Sequence, residues 1–245
     1  MKKNTNESGR VSWLDIAKGF SIIFIVLGHA SYGFLYEFCF AFNSVIFFIL
    51  SGMSFCRIKN EKDDLLCFDN RKTGIFLKKT GEKLLLPYFV WGSVSIVIYL
   101  FLEGAVLSRL QPGRDGNFAI LPNFAGLLYG NSGTGFLDYY RPLWFIPCLI
   151  VTELMWFFIL KLMYRISVKK AWILYTGLMA GFCVFGVMES CLDRKLILPF
   201  EAESAIFMSF FFGIGLTLRR LGGGGISESC RTGKFRRLRL SYGRL

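Results

Sequence analysis

Three ionisable side chains stand inside one apolar stretch near the start of the chain: Asp15, Lys18 and His29, the last of which is the single histidine in 245 residues. On an α-helix, Lys18 and His29 lie about 20° apart around the axis and about 16 Å apart along it. Asp15 precedes Lys18 by three residues, so the two side chains are within pairing reach on one side of the helix. The spacing predicts one polar stripe along an otherwise apolar helix.

The residue types in this stripe suit two kinds of chemistry. Histidine titrates near neutral pH, so its neutral imidazole can accept a proton from a hydroxyl group. Lysine offers a positive charge to an anionic ligand. An ionisable group inside a membrane costs at least about 2–3 kcal/mol and normally faces a bundle interior or a watery cavity. From this stretch alone two interpretations stay open: a functional stripe, or interfacial residues at the two ends of a membrane helix.

The elements that would position these residues are long apolar blocks. The chain is 53% hydrophobic and 17% aromatic, and its apolar residues come in runs that are nearly free of charge. A helix needs about 20 such residues to cross a hydrocarbon core of about 30 Å. Every backbone polar group must be satisfied within the segment, which excludes isolated strands. The sequence therefore predicts an all-α, polytopic transmembrane helical bundle with six spans: 12–31, 34–55, 84–103, 142–163, 171–190 and 200–218.

The distribution of cations predicts the orientation of the bundle. The segment 56–83 holds eight Lys and Arg residues, and the short connection 164–170 holds three. The longer segment 104–141, on the other side, holds only three. Because cytoplasmic loops carry the excess of positive charge, we expect a multi-pass protein of the cell membrane with residues 1–10 as a cytoplasmic N-terminal tail.

Other composition features exclude several classes of protein. The net charge of +12 is spread over loops and a tail, with no basic patch interleaved with aromatics, so we expect no nucleic-acid partner. The seven cysteines are scattered without a CxxC pair, which argues against a disulfide framework, a zinc site or any other metal site. Residues 221–245 are rich in Gly and then in Arg, a composition typical of a disordered tail.

Several motifs carry a resemblance to one family. The stretch "WLDIAKGFSIIFIVLGH" (13–29) has a basic residue, ten intervening residues and a histidine, and resembles the first helix of the acyltransferase 3 family. That family usually has Arg where Lys18 stands. In "FNSVIFFILSG" (42–52), which is similar to the second family motif, Asn43 stands where His is frequent and Val45 where Pro is frequent. Three more stretches follow in the family's order: "KLLLPYFVWG" (83–92), "YYRPLWFIPCLIVTEL" (139–154) and "FFFGIGLTLRR" (210–220).

The resemblance implies a membrane acyltransferase domain over residues 11–220. Members of the family O-acylate sugars of bacterial surface glycans. The implied reaction moves an acyl group, acetyl above all, from acyl-CoA to a hydroxyl of a cell-surface glycan or a lipid-linked sugar. Acyl-CoA is then a donor substrate, and no cofactor is expected to stay bound. Family members usually have more helices, so the resemblance also implies that this domain is incomplete at its C-terminal end.

Roles for individual residues follow from the implied reaction. The catalytic candidates are His29, as the general base for the acceptor hydroxyl, and Lys18, as the cation that meets the CoA phosphates; an acyl-histidine intermediate is the less favoured variant. Asp15 would orient or neutralise Lys18. The remaining substrate-binding candidates are Asn43, Ser51, Arg141, Trp144 and Glu153.

Some of these candidates have plainer interpretations. Glu153, an acid in the middle of a predicted span, is a functional candidate, or else a partner of Lys161 or of a hydroxyl on a neighbouring span. Trp144 is either a sugar-stacking platform or a member of an interfacial aromatic belt. Two other hypotheses for the whole chain stay open: a transporter or flippase-like protein, and a non-catalytic fragment. The chain shows no internal repeat of the kind common in transporters, which favours the enzyme.

Overall fold

The computed structural model describes residues 12–30, 33–55, 73–102, 120–134, 143–192 and 196–222, and within these ranges the chain is helical with no strand. A π-helical turn, Gly81–Leu85, joins the third helix to the fourth, and short 3-10 turns occur at Ser132–Thr134 and Pro199–Glu201. The predicted all-α fold is confirmed. The helices are α1 Ser12–Ala30, α2 Phe34–Phe55, α3 Thr73–Thr80, α4 Leu86–Leu102, α5 Ile120–Tyr129, α6 Phe145–Met163, α7 Val168–Cys191 and α8 Ala202–Gly222.

Four helical stretches in the described ranges are long and apolar enough to cross a membrane. They are Thr73–Tyr99, Phe145–Met163, Val168–Cys191 and Pro199–Arg220, and Phe42–Phe55 is a shorter apolar helix. Large apolar side chains such as Ile173 are exposed on their outer faces, as contact with lipid requires. The chain is thus a multi-pass helical membrane protein. Helices α1 and α2, with 19 and 22 residues, coincide with the first two predicted spans, whose crossing of the membrane stays a prediction.

Helix α8 lies at the centre of the bundle. It packs against α2, α6 and α7, while α1 packs against α2. Two polar bonds fix its neighbours: Trp156 Nε1 donates to the Ser209 carbonyl at 3.0 Å, and Tyr175 Oη donates to the Gly213 carbonyl at 2.7 Å. Because these polar atoms are buried, their pairing removes a desolvation cost and sets the depth of α6 and α7 against α8.

The crossing of α2 and α8 depends on two glycines. A Cβ atom on Gly52 would lie 2.1 Å from the Phe212 carbonyl oxygen, and one on Gly215 would lie 2.0 Å from the Ile49 carbonyl oxygen. Small residues at a helix crossing allow the two backbones to approach closely. This contact places α2, and with it α1, at a fixed position on the bundle.

We expect Gly215→Ala to destabilise the protein by about 1–3 kcal/mol, because the added methyl group meets a backbone carbonyl that cannot turn away. Gly181→Ala in α7 is the matched control, since a Cβ there meets nothing within 4 Å. Thermal unfolding of both variants in detergent measures the difference. Equal midpoints for the two variants would show that the α2–α8 contact is not as tight as described.

One predicted boundary is wrong. The third span was expected to begin at residue 84, but the helical stretch begins at Thr73. Phe76 is buried and stacks on Phe157 of α6, with ring centroids 4.1 Å apart, whereas Lys78 and Lys79 on the other side are exposed. The lysines make this segment resemble a loop in the sequence, but its aromatic side binds it to the bundle.

A short helix was also missed. Within segment 104–141, which was expected to be a loop, α5 packs against α4. Leu127 is buried there in a small cluster with Tyr88 and Ile96, and Tyr88 Oη donates to the Leu127 carbonyl at 3.0 Å. At 10 residues α5 is too short to span a membrane, so a search for span-length apolar runs passes over it.

The structure describes almost none of the two terminal segments that the sequence predicts, 1–10 and 221–245. Residues 1–10 lie outside the described ranges, as do residues 223–245 of the predicted tail. Helix α8 continues through Gly222, so it takes in the first residues that were assigned to that tail.

Candidate active site

Lys18 lies on the face of α1 that meets α2. Leu14 and Ser21 are buried on this face, at 3% and 4% exposure, and Gly28 is buried further along. Lys18 follows the same helical spacing and is partly buried. The position of Lys18 therefore directs its side chain toward the bundle.

Lys18 is tied to α2 by a short chain of hydrogen bonds. Its Nζ atom donates to Ser54 Oγ at 2.5 Å, and Ser54 Oγ donates to the Ser51 carbonyl at 3.0 Å. A charged donor makes the first of these bonds stronger than an ordinary neutral pair. The ammonium group is held at a defined point between α1 and α2.

Three charged side chains act on the Lys18 ammonium. Burial works against the positive charge on Lys18, the nearby carboxylates of Glu153 on α6 and Asp15 on α1 support it, and the positive charge of Lys83 opposes it. Two cations and two carboxylates from three different helical stretches therefore share one region. Lys161, considered as a partner of Glu153 on sequence grounds, donates to Thr73 Oγ1 at 2.6 Å.

The π-helical turn explains how this region is assembled. The helical stretch from Thr73 runs antiparallel to α6, since Phe76 stacks on Phe157 while Tyr88, twelve residues later, shares a cavity with Pro147. The π-helical turn lies between these two contacts and packs on α6, at the level of Glu153. Such turns are rare and often occur at functional sites.

The other predicted residues of α1 and α2 are spread along the two helices. Position 29 lies in the last turn of α1, and the side chain of His29 is outside the described residues. Asn43 is buried in α2 at 8% exposure. Ser51 is buried at 3% exposure, and its Oγ atom makes no hydrogen bond in the described part of the chain. The roles of these residues stay predictions.

Trp144, at the start of α6, is partly buried and turns toward the protein. It lines a cavity of about 10 Å³ together with Tyr88, Ser132 and Pro147. That volume is about enough for one water molecule. Arg141, the neighbouring candidate, lies outside the described residues.

Sequence reasoning missed a second polar region beside this cavity. Glu201 and Glu203 are each 4% exposed, and they bind Ser132 and Asn131. In the sequence these two acids stand in "PFEAES", just before an apolar run, and so resemble ordinary interfacial residues. In none of the ranges that the structure describes do three or more His, Cys, Asp or Glu side chains form a group that could hold a metal ion.

Comparison with known proteins adds one match. A family model described as an acyltransferase domain matches residues 11–228. No curated protein and no solved structure matches the chain. The matched range contains every helix from α1 to α8, and both Lys18 and Glu153.

Proposed function

The chain belongs to the acyltransferase 3 family and is a multi-pass membrane acyltransferase, and from this premise we propose that it moves an acyl group, acetyl above all, from acyl-CoA to a hydroxyl of a cell-surface glycan or a lipid-linked sugar. The observation that carries the proposal is the Lys18 ammonium, which Ser54 holds on the inward face of α1. A cation within an apolar helix, on the face that meets the bundle, has a functional reason if an anionic substrate binds there.

The donor would bind at the Lys18 end of the stripe. Lys18 and Lys83 act on each other electrostatically, so their charges can be shared by one polyanionic ligand such as CoA. Asp15 and Glu153 supply countercharge while no donor is bound, which lowers the cost of keeping the ammonium inside the membrane domain. With the N-terminus in the cytoplasm, this end of α1 faces the compartment that supplies acyl-CoA.

The acceptor would react about 16 Å further along α1, at His29. The neutral imidazole accepts the proton of the acceptor hydroxyl, whose oxygen attacks the thioester carbonyl carbon. The carbon–sulfur bond then breaks, and the departing CoA thiolate takes up the proton that the imidazole had accepted. The long pantetheine arm of CoA separates its phosphates from its thioester, so a phosphate-binding cation and the base must stand far apart, as positions 18 and 29 of α1 do.

Transfer of labelled acetyl groups tests the proposal. Membranes that contain the chain are incubated with acetyl-CoA labelled in the acetyl group, and the glycan and lipid-linked sugar fractions are then extracted. We expect alkali-labile label in one of these fractions, because an O-acetyl ester is cleaved by mild base. Folded protein that moves no label from any acyl-CoA would refute the proposal, and movement of unlabelled sugar across the membrane would favour a transporter.

We also expect Cys191 to face the outside and Cys67 to face the cytoplasm. Cys191 is exposed at the end of α7, one crossing away from the basic connection 164–170. A membrane-impermeant maleimide should therefore label Cys191 in intact cells, and should label Cys67 only after permeabilisation. Cys191 serves as the positive control within the same chain. Ready labelling of Cys67 in intact cells would invert the proposed orientation.

A further inference from the structure

Two buried carboxylates join the beginning of α8 to the turn after α5. Glu201 Oε1 accepts hydrogen bonds from the Ser132 backbone N–H and from Ser132 Oγ, both at 2.7 Å, and Glu201 Oε2 accepts one from Ser204 Oγ at 3.2 Å. These donors are neutral. A carboxylate that is 4% exposed requires such bonds, because an unpaired buried charge would be very costly.

Glu203 makes the second connection. Its Oε1 atom accepts from Asn131 Nδ2 at 2.5 Å, and its Oε2 atom accepts from the Leu198 backbone N–H at 3.0 Å. The same Asn131 amide also donates to the Leu198 carbonyl at 2.7 Å. Tyr129 Oη adds a bond to the Ile197 carbonyl at 2.9 Å. Four residues between 197 and 203 are therefore bound to residues 129–132.

The backbone of the same segment is strained. Phe200 and Glu201 have φ values of 58° and 53°, in the left-handed region that non-glycine residues rarely adopt. Each such residue costs about 1–3 kcal/mol and persists only where its surroundings determine its conformation. Gly130, with φ of 71°, allows the close contact, since a Cβ there would lie 3.3 Å from the Phe200 Cα atom. The hydrogen bonds of Glu201 thus hold a conformation that would otherwise relax.

The small cavity lined by Trp144 and Tyr88 adjoins this segment, because Ser132 and Gly130 belong to its lining. Cys148, which follows the lining residue Pro147, is completely buried. This region lies at the Phe145 end of α6, about 12 Å along the helix from Glu153. In the proposed orientation this end faces outward, where a glycan acceptor would arrive.

We propose that residues 197–204 form a latch, which Glu201 and Glu203 hold closed on the turn at 130–134 and which opens to admit the glycan acceptor beside Trp144. The inference rests on the proposed function for the identity of the ligand. Glu201 and Glu203 are positioning residues in this scheme, since they act through the latch. The stored backbone strain favours release once the carboxylate bonds are exchanged for bonds to an incoming polar group.

Reactivity of the native Cys148 thiol, which lies in the same buried cluster as Ala205 next to the latch, reports opening without any need for catalysis. The purified full chain in detergent is treated with a small maleimide, and labelling of each cysteine is followed by peptide mass spectrometry, with exposed Cys191 as the internal standard. Glu201→Ala should raise the Cys148 rate relative to Cys191 about tenfold or more, because the bonds from Ser132 to a charged group are lost. Ser204→Ala removes only the 3.2 Å bond and should stay near wild type. An unchanged Cys148 rate in Glu201→Ala would overturn the latch.

A reversible cross-link separates opening from folding. Ser132 Oγ and Ser204 Oγ bind the same carboxylate, so a short bifunctional methanethiosulfonate can bridge the pair Ser132→Cys and Ser204→Cys. Bridging should lower both the Cys148 labelling rate and acetyl transfer to the acceptor about tenfold or more relative to the unbridged double variant, and reductant should restore both. Wild-type protein treated with the same reagent is the control.

Acetyl transfer and the Cys148 labelling rate together distinguish a failure of the latch from a failure of the proposed function. Undiminished transfer after complete bridging would refute the latch while leaving the proposed function intact. If no form of the chain transfers acetyl, including the reduced double variant, then the proposed function fails. In that case the Cys148 rate before and after bridging decides the latch alone, and equal rates refute it.

Discussion

Replacing His29 with alanine is expected to lower acyl transfer about 10²–10⁴-fold, the usual contribution of a positioned acid–base group. A sugar hydroxyl is a weak nucleophile, and the chain has only one histidine to take its proton. Position 29 lies eleven residues from Lys18 on α1. The loss should appear in kcat at saturating acyl-CoA, because the donor contact at Lys18 is left in place.

The pH dependence of transfer gives a second measurement of the same role. A base must be neutral to accept a proton, so the rate should fall on the acid side along a single ionisation; a free imidazole titrates near pH 6.5. Ser21→Ala is the matched control on α1, since it removes only a bond from Ser21 Oγ to the Ala17 carbonyl at 3.0 Å. Near-normal transfer by His29→Ala would exclude histidine as the base and make Glu153 the next candidate.

The long helices could be predicted from the sequence alone. The predicted span 34–55 coincides with α2, and 142–163 differs from α6 by three residues at one end. These elements are predictable because the thickness of the hydrocarbon core sets a minimum length for an apolar helix, and that length is visible in one dimension. The family could be recognised for a related reason, because its motifs follow one another in order along these helices.

The helices that lack an apolar run long enough to cross a membrane could not be predicted. Helix α3 is held by the stacking of Phe76 on Phe157, a contact between residues far apart in the sequence. Helix α5 is fixed in the same way, by Leu127 against α4. Neither segment has a span-length apolar run, so tertiary packing decides its conformation.

In the candidate site, too, features set by spacing within one helix could be predicted, whereas features set by tertiary packing could not. The stripe of Asp15, Lys18 and position 29 follows from helical spacing within α1. The electrostatic effect of Glu153 on Lys18 depends on where the bundle places α6 relative to α1, and no periodicity within either helix contains that information. The left-handed conformation of Phe200 is equally hidden, because an L-phenylalanine has no local preference for it.

The second large effect is expected at Lys18. Lys18→Met should raise the apparent KM for acyl-CoA about 10–100-fold, since a bond from a charged donor to a phosphate contributes about 1.5–3 kcal/mol. The value of kcat at saturating donor should change little, because the lost contact is the same in the ground state and the transition state. Initial rates over a range of acyl-CoA concentrations separate the two constants.

Two matched variants make this result specific to Lys18. Lys18→Arg keeps the positive charge and should keep KM within a few-fold, as expected where the family usually has Arg. Lys78→Met removes an exposed cation whose ammonium lies 3.8 Å from the Glu82 carboxylate, and it should leave KM unchanged. A loss of kcat without a change in KM in Lys18→Met would place the lysine outside donor binding.

Glu153 provides the decisive comparison, because its carboxylate and a CoA phosphate would compete for one ammonium group. If Lys18 binds the donor, Glu153→Gln should lower KM, since the phosphate then meets an ammonium that has lost one of its two nearby countercharges. The same substitution in a Lys18→Met background should have no such effect, because the group for which the two anions compete is gone. Non-additive changes in KM across this double-mutant cycle measure the coupling directly. Additive changes would mean that Glu153 acts on the donor by another route than through Lys18.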